Sequence, residues 1–170
     1  MASSALLIFY IWSSMKQIKT IVHIHAPIHI VWDALMNFQN YPDWNPFIRS
    51  IEWASDSKEQ LLITILPPDS QKPMKFNPSI LRHETQKEFR WKGKLLMKGL
   101  FDGEHYFRLS KLPNGSTAFV HGESFSGVMV PFLKSGLRKT ELGFKQMNMA
   151  LKELCEERFK AIPNPDNLSG

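Results

Sequence analysis

Cysteine is nearly absent: with Cys155 alone in 170 residues, the chain has no internal disulfide framework. Its setting, Lys-Glu-Leu-Cys-Glu-Glu, is acidic, which disfavours a reactive thiolate and reads as a small apolar filler on a helix in a reducing, cytoplasmic compartment. A run of about twenty apolar residues, needed to cross a bilayer, is also missing. The uncharged opening stretch, residues 5–12, is too short, and it lacks the positive leader and small-residue cleavage site of a signal peptide. Met15 lies just ahead of the first orderly strand pattern, so residues 1–15 are expected to be an extension outside the fold, with translation starting at Met15. There is no Walker loop and no Rossmann glycine fingerprint. The stretch Gly122-Glu-Ser-Phe-Ser126 lacks the closing glycine of a nucleophile elbow and stands in a strand, so hydrolase chemistry has no support.

Charge of neither sign is concentrated. The 21 Lys and Arg against 16 Asp and Glu leave a formal +5, but the basic residues are scattered among acids, and no basic–aromatic module of a known kind is present. No nucleic-acid partner is expected. His23 and His25 stand two apart on one strand face, yet no cysteine or carboxylate accompanies them at diagnostic spacing. Neither a metal nor a cofactor is expected.

What is present is a regular order of elements. Residues 16–25 alternate with Ile18, Val22 and Ile24 on one parity, a strand with an imperfect apolar face. Pro27 suits a first helical residue, and Val31, Trp32, Leu35 and Phe38 follow at helical spacing. Residues 40–47, Asn-Tyr-Pro-Asp-Trp-Asn-Pro-Phe, form a turn or a brief second helix. Six strand-like runs come next, at 47–53, 60–66, 74–83, 88–96, 100–112 and 116–126. The predicted sheet therefore has seven strands, mostly antiparallel because the connections are too short for crossovers. Beyond Pro131 a long amphipathic helix carries Leu133, Leu137, Phe144, Met147, Leu151 and Leu154 on one side. Gly136, Gly143 and Ala150 fall nearly in line along it, and each glycine costs about 1 kcal/mol against alanine, which close approach to the sheet or room for a ligand would offset. Residues 16–161 form one domain and 162–170 a tail. An apolar sheet face and an apolar helix stripe must bury each other.

Two groups of residues carry a resemblance. Ala26-Pro27, Val31-Trp32 and Tyr41-Pro-Asp-Trp-Asn-Pro-Phe47 resemble the opening of the SRPBCC superfamily, the START and birch-pollen-allergen-like helix-grip proteins. Gly99-Leu-Phe-Asp-Gly-Glu-His-Tyr-Phe107 and His121-Gly-Glu-Ser-Phe-Ser-Gly127 are similar to its polyketide cyclase-like and CoxG-type branch. The resemblance covers roughly residues 16 to 160. It implies an α+β helix-grip fold, a seven-stranded curled antiparallel sheet around a long C-terminal helix, with a cavity between them. It also implies binding or transport of a hydrophobic small molecule, lipid, quinone or polyketide-like, without catalysis. The alternatives are a polyketide cyclase or aromatase and a co-chaperone-like interaction module. Stable membrane insertion is not expected, and no protein partner is indicated.

A cavity of this kind is apolar with a few orienting polar groups. The residues expected to line it are Trp44, Phe76, Phe89, Trp91, Phe101, Phe107, Phe119, Leu137, Gly143, Phe144 and Met147, with His105, His121 and Glu123 as its polar members. The last three follow from the turn Leu112-Pro-Asn-Gly-Ser116. Read as a three-residue hairpin loop, it places Phe107 opposite His121 and His105 opposite Glu123. A two-residue Asn-Gly loop would instead place His105 opposite Ser124. A His105–Glu123 pair has two readings, a satisfied cross-strand pair that stabilises the sheet or a group that orients the ligand.

Overall fold

A computed structural model describes residues 15–162 apart from 55, 57, 95–101 and 128. Alternation sets its first strand, β1 (Lys16–Ile24): Ile18 and Ile24 are buried, and the polar exception on the same parity, Thr20, is buried with them. The carbonyl of Pro27 accepts from the N–H groups of Ile30 and Val31 (3.0 and 3.4 Å) and starts α1 (Ile28–Met36). That helix buries Val31, Trp32 and Leu35. A 3-10 turn, Phe38–Asn40, leads into α2 (Tyr41–Trp44). There Asn45 bends the chain: its Oδ1 accepts from the N–H groups of Phe47 and Ile48 (3.0 and 2.9 Å), and Arg49 donates to the carbonyls of Asn45 and Pro42. The result is that Phe47 is buried.

Then follow β2 (Ile48–Trp53), β3 (Leu61–Ile65), β4 (Met74–Phe76), β5 (Ser79–Glu84), β6 (Glu88–Lys94), β7 (Asp102–Lys111) and β8 (Thr117–Ser126). Among the described residues the strands number eight, not seven. Residues 74–83, expected as one strand, divide at Asn77-Pro78, because Pro78 has no N–H with which to continue a ladder. β4 stays with β3, and β5 crosses to β6. The antiparallel sheet thus has a five-stranded part, β1-β8-β7-β6-β5, and a three-stranded part, β2-β3-β4. They are joined at the Gln60–Ser79 bridge and by Leu61 N–H to the Pro78 carbonyl (2.9 Å).

The long helix, α3 (Lys134–Lys160), begins a few residues after Pro131, behind a 3-10 turn at Val130–Phe132. Its buried stripe is Gly143, Phe144, Met147, Asn148, Leu151 and Cys155. Each fully buried apolar side chain there contributes about 1.5–3 kcal/mol. The C-terminal half is tied to β1, where Glu156 accepts from the His25 N–H (2.7 Å) and Lys152 donates to the His23 carbonyl (2.7 Å). The side chain of Cys155 packs in this seam, and burial pushes its thiol up to about 12, which leaves it unreactive. A curled antiparallel sheet gripping one long helix is the helix-grip arrangement.

Candidate functional site

The two parts of the sheet diverge at Pro78, and α3 does not fill the space between them. A cavity of about 380 Å³ remains, within the usual range for small-molecule sites. Phe47, Ile48, Ile63 and Ile65 form one wall, Trp91, Gly93, Gly103 and Phe125 the opposite one, and Leu133 and Leu137 of the helix segment a third. Exposed Met74, Gly136 and Lys139 mark its mouth.

Of the residues expected from the sequence, Phe76, Trp91, His105, Glu123 and Leu137 line this cavity. Phe89, Phe107, Phe119, His121, Phe144 and Met147 do not: all are fully buried. Trp44 packs against Tyr41 (ring centroids 5.1 Å apart), away from the cavity. Phe101 lies outside the described residues. Gly143 does not border the space either, because the Phe47 ring covers it so closely that a Cβ at Gly143 would fall 2.2 Å from Phe47 Cδ2. The two glycines of the helix line therefore have different causes: Gly143 admits a ring, and Gly136 stands in the open at the mouth.

The hairpin between β7 and β8 sets the polar part of the site. Leu112 N–H bonds to the Ser116 carbonyl (2.8 Å) and Gly115 N–H to the Leu112 carbonyl (3.0 Å), with Gly115 at φ +81°. That is the three-residue loop, since a two-residue Asn114-Gly115 loop of type I′ would need positive φ at Asn114 as well, and among the described residues Asn114 does not have it. It pairs Phe107 with His121 and His105 with Glu123. On the inner face of these strands a chain of polar side chains runs from the cavity into the core. Glu123 Oε2 lies 3.4 Å from His105 Nδ1, His105 Nε2 lies 3.1 Å from His121 Nε2, and His121 Nδ1 lies 2.9 Å from Asn148 Oδ1. Asn148 Nδ2 then donates to Thr20 Oγ1 (2.9 Å), and Thr20 donates to the His121 carbonyl (3.1 Å). Each imidazole also stacks on an aromatic ring, His105 on Trp91 (4.2 Å) and His121 on Phe144 (3.7 Å).

Burial governs the charge of this chain. It pushes His105 down to about 3 and Glu123 up to about 8. His121 is lowered too, by burial first and by the neighbouring His105 second, against its hydrogen bond to Asn148 Oδ1, which raises it. Burial thereby disfavours the charged form of all three groups. Thr20 and Asn148 were not among the residues expected at the site. Their signal was nonetheless present, as one polar residue on the apolar parity of β1 and one on the apolar stripe of α3 between Phe144 and Leu151. Outside the chain, His23 and His25 are exposed, and no group of three metal-ligating side chains occurs among the described residues.

Comparison with known proteins bears on the fold and the family. The sequence profile of the family described as polyketide cyclase / dehydrase and lipid transport matches residues 15–156. No curated protein matches in sequence. Among solved structures, the Zhui aromatase/cyclase of Streptomyces sp. R1128 superposes with a TM-score of 0.70 at 14% identity, covering 86% of this chain and 97% of that one. A START superfamily protein of Mycobacterium smegmatis gives 0.64 at 16%, with 86% and 99% covered. Norcoclaurine synthase of Thalictrum, a point mutant in complex with a transition-state analogue, gives 0.61 at 11%, with 85% and 96% covered. At such identities the likeness is one of fold.

Proposed function

Because the chain belongs to the polyketide cyclase / dehydrase and lipid transport family, within the START and birch-pollen-allergen-like superfamily, we propose that it binds a hydrophobic small molecule in this cavity and carries it in the cytoplasm without transforming it. A lipid, a quinone and a polyketide-like aromatic all suit the space. The observation that carries this reading is the cavity of about 380 Å³ with walls of Phe47, Ile63, Ile65, Trp91 and Phe125. Removing such surfaces from water favours an apolar guest. An open interior also counts against an interaction module that would work from its outer surface alone. No helix among the described residues is long and apolar enough to cross a membrane.

Native mass spectrometry of protein isolated from its own host tests the proposal. The expected result is a co-purifying apolar ligand that raises the melting temperature with concentration, since it binds only the folded state. Gly93→Leu should remove the shift. Gly93 lines the cavity, and a Cβ there meets nothing nearer than 3.9 Å, so the larger side chain fills the space without a clash at its root. Repeated recovery of empty protein that no apolar compound stabilises would overturn the reading.

One observation favours a second reading, an aromatase/cyclase-like enzyme: a carboxyl–imidazole pair, Glu123 and His105, on the cavity wall. Conversion of a poly-β-ketone mimic by wild-type protein but not by His105→Phe would decide for it.

A further inference from the structure

The hydrogen bonds behind Glu123 run in one direction only, and that direction determines what Glu123 offers to the cavity. The His121 carbonyl can only accept, so the single hydroxyl proton of Thr20 is committed to it. Asn148 must therefore donate to Thr20 through Nδ2, which turns its Oδ1 to His121. A carbonyl oxygen requires a donor, so His121 carries its proton on Nδ1. His121 is fully buried, and no carboxylate among the described residues stands beside it, so an imidazolium there is costly. Its Nε2 is thus a lone pair, and His105, 3.1 Å away, must donate from Nε2. Nothing but a lone pair is then left on the Nδ1 of a neutral His105, facing Glu123 Oε2.

One proton bridges that last gap, on Glu123 as an acid or on His105 as an imidazolium. In either distribution Glu123 Oε1 is an acceptor. This oxygen lies over Gly103, where a Cβ would come within 2.3 Å of it, and no described residue donates to it. Both residues are on the cavity wall. The other hydroxyls of the wall are spent: Ser70 donates to the Lys72 carbonyl and Thr140 to the Gly136 carbonyl.

We propose that Glu123 Oε1 is an acceptor-only recognition point, so that the molecule held in the cavity is an apolar one bearing a hydroxyl, an alcohol, phenol or enol, directed at Gly103 and Glu123. A carbonyl or ether oxygen placed there would face another acceptor. This rests on the cavity-binding reading above and narrows it to a class of ligand.

The test uses three probes of one ring system, 2-naphthol, its methyl ether and 2-acetonaphthone, titrated into the full chain by calorimetry. Wild type should bind the naphthol about three- to tenfold more tightly than the ether or ketone, the range expected of one net hydrogen bond. Glu123→Gln imitates the protonated acid, since its amide N–H satisfies His105 and its oxygen still faces the cavity, and it should keep the preference. Glu123→Leu should bind all three probes without preference. Nitrogen-15 spectra of the histidine rings supply a readout independent of any variant's folding: His121 is expected as the Nδ1–H tautomer and His105 as the Nε2–H tautomer. Binding of all three probes with the ketone equal or preferred, or the opposite tautomers, would overturn the proposal while leaving the cavity intact. Failure of all three to bind would instead count against the cavity reading itself.

Discussion

Strands β6, β7 and β8 present two faces made from alternate residues of the same chain, and these faces treat polar groups in opposite ways. On the outer face Glu88 receives Arg82 (3.0 Å), Arg90 and Arg108 (2.9 Å), Arg90 also reaches Glu104, and the Arg108 guanidinium lies 4.3 Å from the Tyr106 ring centre. On the inner face, one residue along, stand His105, His121 and Glu123. Outside, burial pushes Glu88 up, but hydrogen bonds and charge from Arg108 and Arg90 outweigh it and hold the carboxyl below its usual range. Inside, no cation among the described residues comes to Glu123, and burial prevails. The comparison shows that charge state here follows from which side of a strand a residue faces, and that a carboxylate keeps its charge where arginines that can still reach water converge on it.

The largest expected effect breaks the inner chain. His121→Ala removes a fully buried ring, leaves Asn148 Oδ1 and the His105 N–H without partners, and opens a void; about 3–5 kcal/mol of stability should be lost in a urea titration. Glu88→Ala on the outer face should cost about 1 kcal/mol, because the freed arginines return to solvent. Equal losses would show that the two faces do not differ as described.

The pH dependence sharpens the contrast next, through its sign. Glu123 is raised to about 8 in the folded protein, so between its ordinary value and 8 the folded state holds a proton that the unfolded chain has released. Stability from this group falls as pH rises toward 8. Glu88 is lowered, and its contribution is lost as pH falls through its folded value. His105 and His121, both lowered, add to the acid loss, since the unfolded chain takes up protons below about 6.5 that the folded one refuses. Melting temperature should therefore peak near pH 6.5 and decline toward 8, and Glu123→Gln should flatten the alkaline decline alone. An unaltered decline in that variant would assign it to another group. The smallest effect concerns salt: 1 M NaCl should reduce the cost of Glu88→Ala and leave that of His121→Ala unchanged, because only the outer face is screened.

Much of the site was legible because hairpin register is local. Pro113, Asn114 and Gly115 state their turn type, and parity carries His105 to Glu123 from there. The division of β4 from β5 was less so. Pro78 was visible, but the transfer of the chain from one part of the sheet to the other depends on which edge is free to receive it. Nor does parity separate wall from core: Trp91 and Phe89 point the same way from β6, yet Trp91 lines the cavity and Phe89 packs against Phe38 and His83. Thr20 and Asn148 each looked like a flaw in an apolar pattern, and they lie 128 positions apart.

By itself the sequence determined the order of elements apart from the β4–β5 division, narrowed the antiparallel β7–β8 register to two choices and marked the apolar stripe of α3, because each of these follows from periodicity and turn chemistry within a few residues. Tertiary structure alone decided that Phe47 rather than Gly143 forms the wall, that a cavity stays open where the sheet divides, and that two isolated polar residues meet to orient two histidines. Those outcomes depend on long-range packing and on the exclusion of water from one face, where an unpaired polar group is costly and each must find its partner across the fold.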